Sequence, residues 1–336
     1  MSLFRTKPIE SSLADADEPG RRLKRSLTTW DLMIMGVAVA VGAGIFSVGA
    51  RAAGQFSGPA VTLSFVLAAI TCALAIMCYA EFATAIPVAG SAYVFTYATM
   101  GELVAWIIGW NLILELFTAA AVIAKYWGIY LSEVFALIGW DIPATLELGV
   151  LSLTWGPFLI VAVFTFLLVM GTKLSARVGN VFTIIKVGVV LFVIVAGFFY
   201  VKAENYTPFI PDPVPTATDS SSGVLQQSLF SFLTGAAPAQ YGLMGVFAGA
   251  AIVFFAFIGF DVVATSAEEV KDPGKTLPRG IFAGLAVVTL LYIGVSLALT
   301  GMFPTPPLPK PKTPTWQRPL HSWETQARLP SSPSDP

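Results

Sequence analysis

Two short glycine-containing stretches in apolar surroundings hold the residues best suited to chemistry. The first is Gly42-Ala43-Gly44, in the middle of the first long apolar segment. Glycine costs about 1 kcal/mol against alanine inside a helix, so this stretch favours a break in a membrane helix. Backbone groups freed at a break must find partners, because hydrocarbon offers none. We predict that the amides of Ala43, Gly44 and Ile45 open a second half-helix that binds a carboxylate.

The second stretch lies about two hundred residues later, where Gly259 follows Phe255 and Ile258. The carbonyl oxygens of Phe255 and Ile258, at the end of a half-helix, suit an ammonium group. Paired broken helices are typical of transporters with inverted repeats, which bind substrate where corresponding helices unwind. A carboxylate site facing an ammonium site describes an amino acid. The alternative is that these small residues only allow close helix packing.

Three ionisable residues lie deep in apolar segments, namely Glu115, Lys186 and Asp261. Such residues are costly in a membrane and mark ion or proton routes by default. Lys186 lies about 12 Å from the start of its predicted helix, which is too deep for comfortable snorkelling. We predict that these three residues couple transport to proton movement. The alternative for Lys186 is a static pair with a carboxylate that holds two helices together.

The composition restricts the class of protein. Of the 336 residues 56% are hydrophobic and 12% are charged, about half the charge of a soluble domain. The formal net charge of −1 and the lack of a basic patch argue against nucleic acid. Cys72 and Cys78 share one apolar segment and His321 is the single histidine, so we expect no disulfide scaffold, metal site or cofactor. No enzyme motif is present, and we predict an all-α integral membrane protein that is not an enzyme.

Seven apolar segments predict about seven transmembrane helices. These are residues 30–48, 59–82, 103–130, 157–170, 178–201, a sixth from Gly242, and 281–303. Basic residues precede the first segment and occur in predicted loops at 171–177 and 268–279. Positive charge favours the cytoplasmic side, so we predict a multi-pass plasma-membrane protein with a cytoplasmic N-terminus. The linker 83–100 contains no Lys or Arg and is predicted to be interfacial or re-entrant.

Several motifs, taken as a set, resemble the amino acid-polyamine-organocation (APC) superfamily, and in particular its cationic amino acid transporter-like permeases. They are Val41-Gly42-Ala43-Gly44-Ile45-Phe46, Tyr79-Ala80-Glu81-Phe82, Pro87-Val88-Ala89-Gly90-Ser91-Ala92-Tyr93, Phe255-Ala256-Phe257-Ile258-Gly259-Phe260-Asp261 and Glu268-Glu269-Val270-Lys271-Asp272-Pro273. The resemblance implies secondary, usually proton-coupled, import of amino acids across a lipid bilayer. It implies a fold of inverted repeats in which helices 1 and 6 are broken.

The resemblance also implies roles for single residues. The substrate carboxylate would lie at Gly42, Ala43 and Gly44, and the amine at the carbonyls of Phe255 and Ile258. A lysine at position 186 would stand in for a sodium ion.

The predicted organisation is a cytoplasmic tail at 1–26, a permease membrane domain at 27–303 and a disordered tail at 304–336. Ten of the last 33 residues are proline, and no further spanning segment follows. Because the resembling family has about twelve to fourteen helices, we expect a second repeat that is incomplete and an end that is truncated or altered. Two alternatives to a working transporter stay open, an inactive fragment of such a permease and a channel.

Overall fold

The computed structural model describes residues 5–11, 25–42, 44–140, 145–148, 151–170, 172–215 and 239–303. For 146–148, 151–153, 172–177, 215, 239, 260 and 261 it describes the backbone alone. The described residues belong to one compact unit. The predicted disordered tail at 304–336 lies outside the described residues.

The first membrane helix is broken near its middle. Helix α1 (Thr29–Ala40) begins with a capping box in which Thr28 and Asp31 exchange side-chain to backbone hydrogen bonds. It ends at Ala40, and the next residue, Val41, has an extended backbone (φ −71°, ψ 99°). Helical backbone resumes as a π-helix at Gly44–Val48, α2 at Gly49–Ala52 and a π-helix at Ala53–Ser57. The predicted break in helix 1 is therefore confirmed.

The next part of the chain is helical and follows the predicted segments closely. A 3-10 turn at Gly58–Ala60 leads into α3 (Val61–Ala85). The predicted interfacial linker contains the short helix α4 (Ser91–Thr99), and α5 (Glu102–Leu137) follows. Helix α5 continues seven residues past the predicted end at Tyr130, because the residues beyond the apolar run are still good helix formers.

A short hairpin precedes the fourth and fifth apolar helices. Strands β1 (Thr145–Leu148) and β2 (Leu151–Thr154) pair antiparallel, and α6 (Trp155–Val169) and α7 (Thr172–Phe198) follow. The loop predicted at 171–177 is wrong, since α7 already begins at Thr172. Basic residues marked the edge of the membrane there, but a helix can continue past that edge.

The sixth membrane helix is also broken. After the two-residue strands β3 (Val214–Pro215) and β4 (Ala239–Gln240), α8 (Gly242–Val253) runs into a 3-10 turn at Phe254–Phe257. Ile258 is extended and Gly259 has a φ of 115°, a conformation that favours glycine. The chain then forms α9 (Phe260–Thr265) and a 3-10 turn at Ser266–Glu269. The predicted break in helix 6 is confirmed.

The last described helix begins earlier than predicted. Helix α10 (Pro273–Met302) starts eight residues before position 281, so the predicted loop at 268–279 is partly wrong. Proline at the first helical position has its fixed φ in the helical range and needs no hydrogen bond there. The Asp272 carbonyl accepts hydrogen bonds from the amides of Lys275 (3.2 Å) and Thr276 (2.8 Å), which fixes this start.

The core is formed by the broken helices together with α3 and α10. Helix α10 packs against both α3 and α1, and α8 packs against α3. Helices α3 and α10 each have ten or more buried residues, whereas in α5 the buried residues are Ala105, Ala124 and Gly128. Within the described ranges, five helical segments are long and apolar enough to cross a membrane, and α1 and α6 are shorter apolar helices. The prediction of an all-α, multi-pass membrane protein is confirmed, whereas the inverted repeat and its missing part stay predictions.

Candidate substrate site

The two helix breaks contact each other. A Cβ atom added to Gly44 would lie 2.7 Å from both Cα and Cβ of Ala256, a distance that real Cβ contacts do not show. A Cβ on Gly259 would overlap the side chain of Val39, one residue before α1 ends. Each break therefore has a glycine where a residue of the other segment comes close, Ala256 against Gly44 and the Val39 side chain against Gly259.

A buried tyrosine joins the two breaks by hydrogen bonds. The Tyr292 hydroxyl in α10 donates towards the carbonyl oxygens of Ala40 and Ala256, each 2.6 Å away. Ala40 ends α1, and Ala256 lies in the last turn before the break in helix 6. One phenolic proton is thus shared between two half-helix ends whose carbonyls have lost their helical donors. The sequence reasoning missed Tyr292, although a tyrosine inside an apolar helix signals a need for a buried partner.

Aromatic rings hold this tyrosine in place. Its ring lies 4.9 Å from that of Phe257 in a T-shaped contact and 5.3 Å from that of Phe65 in a tilted one. All three side chains are buried. Such contacts add about 0.5–1.5 kcal/mol each beyond area burial, so the hydroxyl is positioned by a rigid cluster.

Lys186 reaches the same region from α7. Its Nζ atom donates a hydrogen bond to the carbonyl oxygen of Ala38, in the last turn of α1, and its side chain is half-buried. A half-helix that ends inside a membrane presents free carbonyls and the negative end of its dipole, which favour a cation. The break in helix 1 is therefore held from two sides, by Lys186 at Ala38 and by Tyr292 at Ala40.

The residues predicted to bind a carboxylate differ in exposure. Gly44 and Ile45 are buried, and Ala43 lies outside the described residues. Gly42 is exposed, and an added Cβ would meet nothing closer than the Ala40 carbonyl oxygen at 4.0 Å. Room for a ligand at this break therefore lies at Gly42.

The residues predicted to bind an ammonium group lie across from that break. The Phe255 carbonyl accepts a long hydrogen bond of 3.3 Å from the amide of Ile258, and a carbonyl can accept a second one. The side chain of Asp261 lies outside the described residues, although its backbone forms the first turn of α9. Glu115 is half-buried in α5. The structure thus brings Lys186 to the breaks, whereas the proton-route roles of Glu115 and Asp261 stay predictions.

A second set of buried polar contacts joins the far ends of the half-helices. The Ser57 hydroxyl lies 2.8 Å from that of Ser64 and donates to the Gly245 carbonyl at 3.1 Å. The Ser64 hydroxyl donates to the Val246 carbonyl at 2.9 Å. These bonds connect the helical run Gly44–Ser57, α3 and α8 at a place where both serines are fully buried.

Known proteins are similar in sequence to this chain over most of its length. The model of the amino acid permease family matches residues 27–317. The chain is 41% identical over 310 residues to the branched-chain amino acid permease BcaP of Bacillus subtilis (strain 168), and 39% identical over 308 residues to its methylthioribose transporter. It is 35% identical over 314 residues to human cationic amino acid transporter 4.

These matches cover 90% of this chain, 60% of each bacterial relative and 44% of the human one. The chain therefore spans less than two thirds of the length of these relatives. Both broken helices and α10 fall inside the matched residues. The chain belongs to the amino acid permease family, in the cationic amino acid transporter-like branch of the APC superfamily.

Proposed function

We propose that this chain takes part in secondary transport of amino acids and binds its substrate between the breaks in helices 1 and 6. The observation that carries the proposal is the contact of the two breaks, through Gly44 against Ala256 and through the shared Tyr292 hydroxyl. In this proposal the chain lies in the plasma membrane with its N-terminus in the cytoplasm, as the basic residues before α1 favour.

The two half-helix ends offer complementary groups to an amino acid. The helical run that starts at Gly44 presents amides to a carboxylate, and Gly42 and Ala43 precede it. Helix 6 is interrupted at Ile258, and the carbonyl oxygens of Phe255 and Ile258 at this break suit the ammonium group. A zwitterion placed here would satisfy backbone groups that hydrocarbon leaves without partners.

The names of the relatives set the ligands to test. One bacterial relative is named for branched-chain amino acids, one for methylthioribose, and the human relative for cationic amino acids. Leucine, arginine and alanine therefore form the amino acid panel, with methylthioribose as a ligand that has neither carboxylate nor amine. A site built from amides and carbonyls at two half-helix ends favours the amino acids.

Binding is tested with Gly42→Ala in the purified chain. The methyl group would enter the space proposed for the carboxylate without touching another segment, so we expect affinity to fall about tenfold (~1.4 kcal/mol). The control is Gly179→Ala, because Gly179 is also exposed with nothing within 4 Å of an added Cβ. Scintillation proximity measures binding, and thermal shift checks folding. Unchanged affinity in Gly42→Ala would place the substrate elsewhere.

We further propose that Lys186 couples transport to protons. Its amine donates a hydrogen bond to the Ala38 carbonyl of α1, so loss of its charge would weaken one of the two side-chain hydrogen bonds that α1 accepts near the break. The test uses a chimera that adds the part of the Bacillus subtilis branched-chain permease that this chain does not match. In Lys186→Ala we expect proton-driven uptake to be lost while counterflow is partly kept. Equal loss of uptake, counterflow and thermal stability would indicate a structural role instead.

A further inference from the structure

A cavity of about 200 Å³ lies between the end of α3 and the short helix α4. Its walls include Cys78 and Phe82 of α3, Ala92, Phe95 and Thr96 of α4, and Met100 just after α4. Small-molecule pockets in proteins typically measure about 300–1,000 Å³, so this cavity, which we call the slot, is smaller than most of them and has room for part of a narrow, flexible molecule. None of its lining residues belongs to the site at the helix breaks.

Most of the slot's lining is apolar, and the residues in it that carry a hydroxyl are Tyr79, Thr96 and Thr99. The hydroxyl of Thr96 donates to the Ala92 carbonyl at 2.7 Å, and that of Thr99 donates to the Phe95 carbonyl at 2.8 Å. These two threonine hydroxyls are therefore satisfied within their own helix. The Phe95 ring is buried, lies 5.6 Å from the Phe82 ring in a stacked contact, and closes one wall. An apolar chain suits these walls better than a polar molecule.

The position of the slot indicates which molecule would supply an apolar chain. Cys78 and Phe82 lie in the last two turns of α3, and α3 ends a segment that is long and apolar enough to cross a membrane. The slot therefore opens near one boundary of the hydrocarbon layer, where lipid acyl chains are the concentrated apolar species. Met100 at its mouth is 63% exposed, and methionine adapts to irregular apolar ligands.

The α4 wall is held in place by the N-terminal segment. The Lys7 amide donates to the Tyr97 carbonyl at 3.3 Å, and the Glu102 amide donates to the Arg5 carbonyl at 3.1 Å. These bonds bracket the end of α4, so the slot is formed by fixed elements. Basic Arg5 and Lys7 lie beside acidic Glu102, and this mixture of charges favours no particular lipid headgroup.

We infer that the slot between α3 and α4 binds an acyl chain of a bilayer phospholipid. The chain lies along the Phe82 and Phe95 rings, and the headgroup stays at the membrane surface near Met100. A lipid held there fills the space between a spanning helix and the linker that follows it.

The 336-residue chain is tested in phosphatidylcholine vesicles that contain a phosphatidylcholine with a diazirine in one acyl chain. After illumination, mass spectrometry maps the lipid-modified peptides. We expect modification of residues 78–82 and 92–100 to exceed that of other exposed helix faces about tenfold. Uniform labelling of all exposed apolar faces would overturn the inference, as would a crosslinked protein dimer joined at these peptides.

Variants that fill the slot give a second test. Thr96→Phe and Ala92→Phe each place a ring in the cavity, and we expect either to lower labelling of these peptides about tenfold. The control is Thr183→Phe, because Thr183 in α7 is also half-buried and donates to its own helix at the Gly179 carbonyl (2.8 Å). Unchanged labelling in both slot variants would overturn the inference, and labelling of the unaltered chain decides it even where a variant fails to fold.

Discussion

Replacing Tyr292 with phenylalanine removes one hydroxyl from the contact between the helix breaks. The ring keeps its packing against Phe65 and Phe257, so the loss is confined to hydrogen bonds at the Ala40 and Ala256 carbonyls. Tyr292 has no exposed surface, which means that water does not replace its hydroxyl where it lies. Leaving a buried acceptor without its donor costs about 1–3 kcal/mol. We expect the free energy of unfolding to fall by that amount.

The measurement is reversible unfolding of the chain in lipid–detergent mixtures, followed by near-UV circular dichroism. Tyr130→Phe is the matched control, because it removes the same atom from a bond of similar length, 2.6 Å to the Ser47 hydroxyl, on an exposed surface. The Ser47 hydroxyl is free to turn to a carbonyl oxygen of its own helix, so we expect a loss of less than about 0.5 kcal/mol. Equal losses in the two variants would refute the view that Tyr292 joins the breaks.

Two further substitutions test the breaks and the serine contacts. Gly259→Ala combines a φ of 115° with overlap of the new methyl group and Val39, so we expect at least about 2 kcal/mol lower stability and less folded protein by size-exclusion chromatography. Normal yield and melting temperature would contradict the close approach of helices 1 and 6. Ser57→Ala leaves the Gly245 carbonyl without this donor, and we expect a loss of about 1–2 kcal/mol by the same unfolding measurement. A neutral result would show that water reaches this carbonyl.

The helix breaks could be predicted because their causes are local. Glycine is a poor helix former, and an unwound turn inside hydrocarbon must find partners for its freed backbone groups. Gly42 and Gly259 could therefore be predicted from the sequence as helix breaks. Helix ends were less predictable. Basic residues at 171–177 and 268–279 indicate where the membrane surface lies, whereas α7 already begins at Thr172, and α10 begins at Pro273, since proline is favoured at the first helical position.

The contacts at the site depend on residues far apart in the chain. Tyr292 is 252 positions from Ala40, and no spacing rule connects them. Lys186 was singled out for its depth, but its partner, the Ala38 carbonyl, is a backbone group that every residue carries. Sequence can therefore name residues that need partners in a membrane, while the choice among backbone partners follows from how helices pack.

The hydrogen bonds of Ser57 and Ser64 determine which parts can move separately. They join the run Gly44–Ser57, α3 and α8 in a dry region, where each bond would have to break before one of these segments slid past another. We therefore expect these segments to move together as one rigid group. Helices α1 and α9 are not joined to this group by those serine hydrogen bonds. Near the first break, α1 is held by the Lys186 amine and by the phenolic proton of Tyr292. Helix α1 also packs against α10, so a displacement of α1 that pivots at the glycines of the first break would have to disturb that contact as well.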